Sequence, residues 1–169
     1  MTTETWAAFA FYVIAISLVI GALAVVLLPR IVHAALALVF VFFMIAGIYV
    51  LLGAEFIAAA QVIIYVGAIT VLLLFAIMLT QRSYAPDSNP PNSQRGIAAV
   101  VATLLGLLLV LTLAGAVFPR SEVATPGGVT DVTRTLGELL MGPFLLPFEL
   151  AGLLLLAAMI GAIVIAREG

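Results

Sequence analysis

Glu55, Gln61, Tyr65-Val66-Gly67 and Thr70 all fall within one apolar stretch of bilayer length, from Gly53 to Thr80, and Glu149 opens another near the C-terminus. The chemistry open to these side chains is narrow. A carboxylate can take and release a proton, while an amide, a phenol and a hydroxyl can hydrogen-bond and order water. A spanning helix needs about 20 apolar residues, and a polar group inside it costs enough to require a partner or a task. The chain has no cysteine and a single histidine, His33, so thiolate-held clusters, disulfides, cysteine zinc sites and a haem or metal site built by this chain alone are excluded. No cofactor or metal is expected on it.

Each of these residues also has a plain structural reading. Glu55 in the first turn of a helix complements the positive end of the helix dipole. Gln61 and Tyr65, four apart, share a helix face with Ala58 below and Ile69 and Leu72 above, a stripe suited to an interhelical hydrogen bond. Glu149 follows Pro147 closely enough to serve a first helical turn, yet Phe148 and Leu150 set it at or inside the apolar zone, and both readings stay open. Gly67 costs about 1 kcal/mol relative to alanine in a helix interior. Close packing is the commoner reason for such a glycine, and a local change of winding such as a π-bulge is the other. A one-residue bulge here would turn everything beyond it by about 100° relative to Gln61. His33 reads as a snorkelling headgroup neighbour, and Trp6, Tyr12 and Tyr84 as interfacial anchors.

The elements that must carry these residues follow from composition. With 66% hydrophobic and 8% charged residues and a mean hydropathy of +1.38, the chain is an integral membrane protein with almost no length left for a soluble catalytic domain. Its apolar runs predict an all-α fold of five transmembrane helices in a single transmembrane domain, at about 6–28, 31–52, 55–79, 97–118 and 144–166. The short link at Pro29-Arg30 makes the first two helices antiparallel neighbours. Residues 81–96, rich in Pro, Ser and Asn, form a solvent loop, and 119–143 form a second. Within the second, Thr135 and Glu138 have capping-box spacing and predict a short interfacial helix. The N-terminus MTTETW lacks the basic start of a signal peptide, so the first run is retained as a span. Arg30, Arg82, Arg95 and Arg167 fall on one side and Arg120 and Arg134 on the other, which places the N-terminus outside and the C-terminus in the cytoplasm. The alanine-rich, arginine-containing and lysine-free makeup points to a prokaryotic plasma membrane. Scattered basic residues and a net charge of −2 give no footprint for nucleic acid. Paired charges at mid-span, as a stand-alone transporter needs, are missing, and so thin a protein is expected inside a larger complex.

The segment Gly53 to Met78, with QVIIYVGAITVLLLF at its heart, resembles the third helix of subunit J of proton-pumping NADH:quinone oxidoreductase, respiratory complex I, which is homologous to mitochondrial NADH dehydrogenase subunit 6. LPFELAGLLLLAAMIGAIVIA, Leu146 to Ala166, resembles that family's last helix, and the run from Pro29 to Leu38 resembles its second. The resemblance implies a non-redox membrane subunit that helps couple quinone reduction to proton translocation. NADH and quinone would be handled by other subunits, and the neighbours would include the small three-span subunit and the quinone-site subunit. It also implies a π-bulge at Tyr65, Val66 and Gly67 whose rewinding to α-helix accompanies turnover, beside a polar path to which Glu55, Gln61, Thr70 and Glu149 could belong. Some relatives carry a carboxylate where this chain has Gln61, and an amide cannot titrate, so this helix reads as a gate and not as a proton carrier. A subunit of a related membrane hydrogenase or antiporter complex, or a structural assembly scaffold, would share much of this pattern.

Overall fold

Glycine and alanine, and not large side chains, bring the helices of this protein together. The computed structural model describes residues 3–80, 92–116 and 129–167. Residues 81–91 and 117–128, among them Arg82, Tyr84 and Arg120, lie outside the described residues. Seven helices and one π-helical segment are formed among the described residues, and no strand. They are α1 (Thr3–Leu27), α2 (Ile31–Leu51), α3 (Glu55–Ala60), a π-helical segment (Gln61–Ile69), α4 (Thr70–Leu79), α5 (Arg95–Gly115), α6 (Val129–Met141) and α7 (Leu145–Ala166). The run from Glu55 to Leu79 is continuous and forms the third span, so that five helices are long and apolar enough to cross a membrane.

α1 and α2 pack as an antiparallel hairpin whose contact is set by two glycines. A β-carbon at Gly21 would stand 2.9 Å from a methyl group of Val41, and one at Gly47 would stand 3.2 Å from Ile14. Seven residues up α1 thus correspond to six down α2, as antiparallel neighbours require. In a bilayer, lipid tails compete equally for apolar side chains, so close approach through small residues carries helix association. The buried apolar residues agree: Ala34, Ala35, Val41 and Ala46 on α2 and Ala58 on α3, with Gln61 and Thr70 as the buried polar ones. The large apolar side chains of the spans point outward.

The turn from α2 into the third span is set by Gly53. Its φ of +71° lies in the left-handed region that side-chain-bearing residues avoid. There the Ala54 N–H donates to the Tyr49 carbonyl (2.9 Å) and the Gly53 N–H to that of Val50 (3.0 Å), the bond pair of a Schellman motif. Two carbonyls at the helix end are thereby satisfied before α3 begins at Glu55.

α5 starts at Arg95, two residues before the apolar run itself, because an Asn92 turn precedes it: the Gln94 N–H donates to Asn92 Oδ1 at 3.2 Å. Its side chains are exposed along its whole length. The chain divides into two compact units, residues 1–121 and 122–169. In the second, α6 and α7 are joined by Gly142-Pro143-Phe144, where a β-carbon at Gly142 would meet the Glu138 carbonyl at 2.9 Å. The short helix exists, but not through a capping box. α6 begins at Val129, so Thr135 lies mid-helix, and Glu138 instead accepts from Arg134 Nε at 2.9 Å across one turn. Both partners are exposed, so the pair adds little stability. Val132, Leu136 and Leu139 share one face of α6 and Arg134 and Glu138 the other, an arrangement suited to an interface between water and apolar surroundings.

Candidate functional site: a π-helical turn in the third span

The third span stays against α2 along its whole length only because its winding changes partway. Among its residues Ala58, Gln61 and Thr70 are buried, with Val66, Gly67, Leu73, Leu74 and Ile77 half-buried. The steps along this stripe are three, then five, then four residues. An α-helix repeats every 3.6 residues, so a step of five lets the stripe drift off its partner unless one turn is wider. The π-helical winding of Gln61–Ile69 supplies that wider turn.

The single face expected to run from Ala58 through Gln61 and Tyr65 to Ile69 and Leu72 is therefore corrected. Ile69 is 42% exposed and Leu72 69%, whereas Thr70 is 2% exposed. The extra residue in the turn rotates everything beyond it, and the hydroxyl of Thr70 takes the place against α2 that regular winding would give to Ile69.

Tyr65 sits on the shoulder of this stripe. It is 44% exposed, and its ring meets Phe42 of α2 edge to face, with centroids 5.5 Å apart and planes at 68°. Its carbonyl is the centre of the widened turn. The Thr70 N–H is shared between the carbonyls of Tyr65, five residues back, and Gly67. Thr70 Oγ1 also donates to the Tyr65 carbonyl, at 2.6 Å.

Gly67 is not used for packing between the described helices of this chain. A β-carbon at this position would touch no atom of another helix. Its one neighbour within 4 Å would be the carbonyl oxygen of Val62, 3.4 Å away in the preceding turn. The absence of a side chain leaves room for the chain's own winding to change.

The two acids stand differently. Glu55 is in the first turn of α3 and exposed. It lies six residues before Gln61, or about 9 Å along the axis at 1.5 Å per residue. Glu149 lies on α7, which starts at Leu145 with no acidic residue in its first turn, so of the two readings open for it the first-turn one does not fit. Pro147 falls early enough to be tolerated, and Glu149 is left as an exposed carboxylate just inside an apolar helix. The structure thus gathers Gln61, Tyr65, Val66, Gly67 and Thr70 into one site, and places Glu55 at the mouth of their helix. Phe42 is a member that sequence reasoning missed; its only signal was its place in the aromatic run Phe40 to Phe43 of α2. His33, near the start of α2, is exposed.

Among the described residues no three His, Asp or Glu side chains gather to hold a metal ion. Five helices long and apolar enough to span a membrane, with a polar turn inside one of them, define a polytopic membrane protein. Residues 21–165 match the NADH-ubiquinone/plastoquinone oxidoreductase chain 6 family. The chain is 46% identical over 158 residues to NAD(P)H-quinone oxidoreductase subunit 6 of the organellar chromatophore of Paulinella chromatophora, covering 94% of this chain and 77% of that one. It is 43% identical over 159 residues to chain 6 of Synechocystis sp., covering 94% and 79%. Against the chloroplastic subunit 6 of Zygnema circumcarinatum it is 41% identical over 168 residues, covering 94% and 91%. The chain belongs to the NADH-ubiquinone/plastoquinone oxidoreductase chain 6 family, and is a membrane subunit of an NAD(P)H-quinone oxidoreductase.

Proposed function

We propose that the third span is a two-state element that couples quinone reduction in this complex to proton translocation. The observation that carries the reading is the five-residue step in the buried stripe. The π turn holds Thr70 against α2, and rewinding it to α-helix brings Ile69 there instead. One state presents the hydroxyl-bearing Thr70 to α2 on the same stripe as Gln61, the other the apolar Ile69. A polar surface orders water and an apolar one excludes it, so the change of winding opens or closes a hydrated path without any residue of this helix titrating. Tyr65, Val66 and Gly67 form the hinge, Gln61 and Thr70 are polar path residues, and Glu55 and Glu149 stand at its approaches.

On this reading the chain works as one transmembrane domain with no cofactor of its own. It packs beside the small three-span subunit and the quinone-site subunit, which with the rest of the complex handle NADH and quinone. The outward-facing apolar side chains of α5 and α7 suit lipid and such partners. The arginine distribution supports an outside N-terminus and a cytoplasmic C-terminus in a prokaryotic plasma membrane.

The test is Gly67→Val in the assembled complex. The γ-carbons would crowd the turn around the Val62 carbonyl and favour one winding, so quinone reductase activity and proton pumping are expected to fall together or to separate. Wild-type assembly, reductase activity and pumping in this variant would end the proposal.

A further inference from the structure

Resting on the two-state reading above, we propose that Thr70 is also the latch of the π winding, a positioning residue for the widened turn beyond its place on the polar path. Thr103 and Thr112 within α5, and Thr80 just past the end of the third span, donate to carbonyls four or three residues back, at 2.8, 2.9 and 2.8 Å. This is the usual habit of a helical threonine. Thr70 differs from them. Its hydroxyl reaches the Tyr65 carbonyl, five residues back, at 2.6 Å, and its own N–H is shared between that carbonyl and the one of Gly67.

The asymmetry between the two windings follows from counting donors. In a regular α-helix each interior carbonyl accepts the N–H four residues on, so a threonine hydroxyl adds a second bond to a carbonyl that is already satisfied. In the widened turn the Thr70 N–H that reaches the Tyr65 carbonyl is shared with the carbonyl of Gly67. An under-satisfied backbone group is most costly in the bilayer core. The Thr70 hydroxyl makes good that deficit, and only in the π state. Thr70 is also the most buried polar residue described, at 2% exposed, and its hydroxyl lies on the Tyr65 carbonyl. When the turn rewinds, the Tyr65 carbonyl takes back the Ile69 N–H and the hydroxyl falls to the Val66 carbonyl, where it is surplus.

The experiment compares Thr70→Val, Thr70→Ala and Thr70→Ser in the whole complex, by electron cryomicroscopy of the purified enzyme and by reductase and pumping assays on the same membranes. Thr70→Val and Thr70→Ala are expected to lower the ratio of π-wound to α-wound third spans by roughly two- to tenfold, the range set by one net hydrogen bond. Thr70→Ser, which keeps the hydroxyl, is expected to hold the wild-type ratio. Unchanged π winding in the Val and Ala variants overturns the latch. So does failure of both to assemble while Thr70→Ser assembles, because that marks a purely structural hydroxyl. A shift to α winding with pumping per quinone unchanged upholds the latch and overturns the coupling role of the turn, so the two claims fail separately.

Discussion

Phe42 on α2 holds the ring of Tyr65 edge to face, 5.5 Å between centroids, beside the widened turn of the third span. An aromatic pair of this kind is worth about 0.5–1.5 kcal/mol beyond the area it buries. Phe42→Leu keeps an apolar side chain in place and removes the ring. The complex is expected to assemble, with the share of π-wound third spans lowered about two- to tenfold when particles are classified by winding. An unchanged share would mean that the ring contact is indifferent to the winding.

Gly53 makes a second, independent prediction about how the third span is launched. Nothing lies within 4 Å of a β-carbon there, so the cost of Gly53→Ala comes from φ alone. That cost is about 1 kcal/mol, and Gly53→Asn should cost less, because asparagine tolerates the left-handed region. Faster thermal inactivation of the Ala variant than of the Asn variant, with activity before heating intact in both, is the expected result. Equal inactivation rates would contradict it.

The two acids should separate in their effects on pumping. Glu55 sits in a first helical turn, where it complements the helix dipole, and Glu149 has lost that explanation. Glu149→Gln is expected to lower proton pumping per quinone reduced more than Glu55→Gln does, and both less than Gly67→Val. Pumping assays on inverted vesicles matched for assembled complex decide the order. A larger loss in Glu55→Gln than in Glu149→Gln would reverse the assignment.

The five spans were legible because apolar length is a one-dimensional property, and residues such as Pro29 and Gly53 mark the ends. The polar stripe was legible only as far as Tyr65. Beyond it a helical wheel presumes 3.6 residues per turn, and so assigns Ile69 and Leu72 to the face that Thr70 and Leu73 occupy. The glycine at 67 signalled that winding or packing was special there, but a sequence does not say which, and the finding that only the Val62 carbonyl of its own helix lies near its β-carbon position favours winding. Thr135 and Glu138 misled for a related reason: capping-box spacing recurs inside helices, and an arginine four residues before Glu138 offers its carboxylate a better partner. Phe42 was hidden because nothing in one helix tells which of the three neighbouring phenylalanines, Phe40, Phe42 and Phe43, meets the next.

The most direct measurement of the coupling claim is a pair of structures of the intact complex, one at rest and one trapped during turnover with quinone and proton-motive force present. The account predicts that residues 61–69 are π-wound in one and α-wound in the other, with Thr70 against α2 in the first and Ile69 in its place in the second. The same winding and the same residue against α2 in both would contradict it.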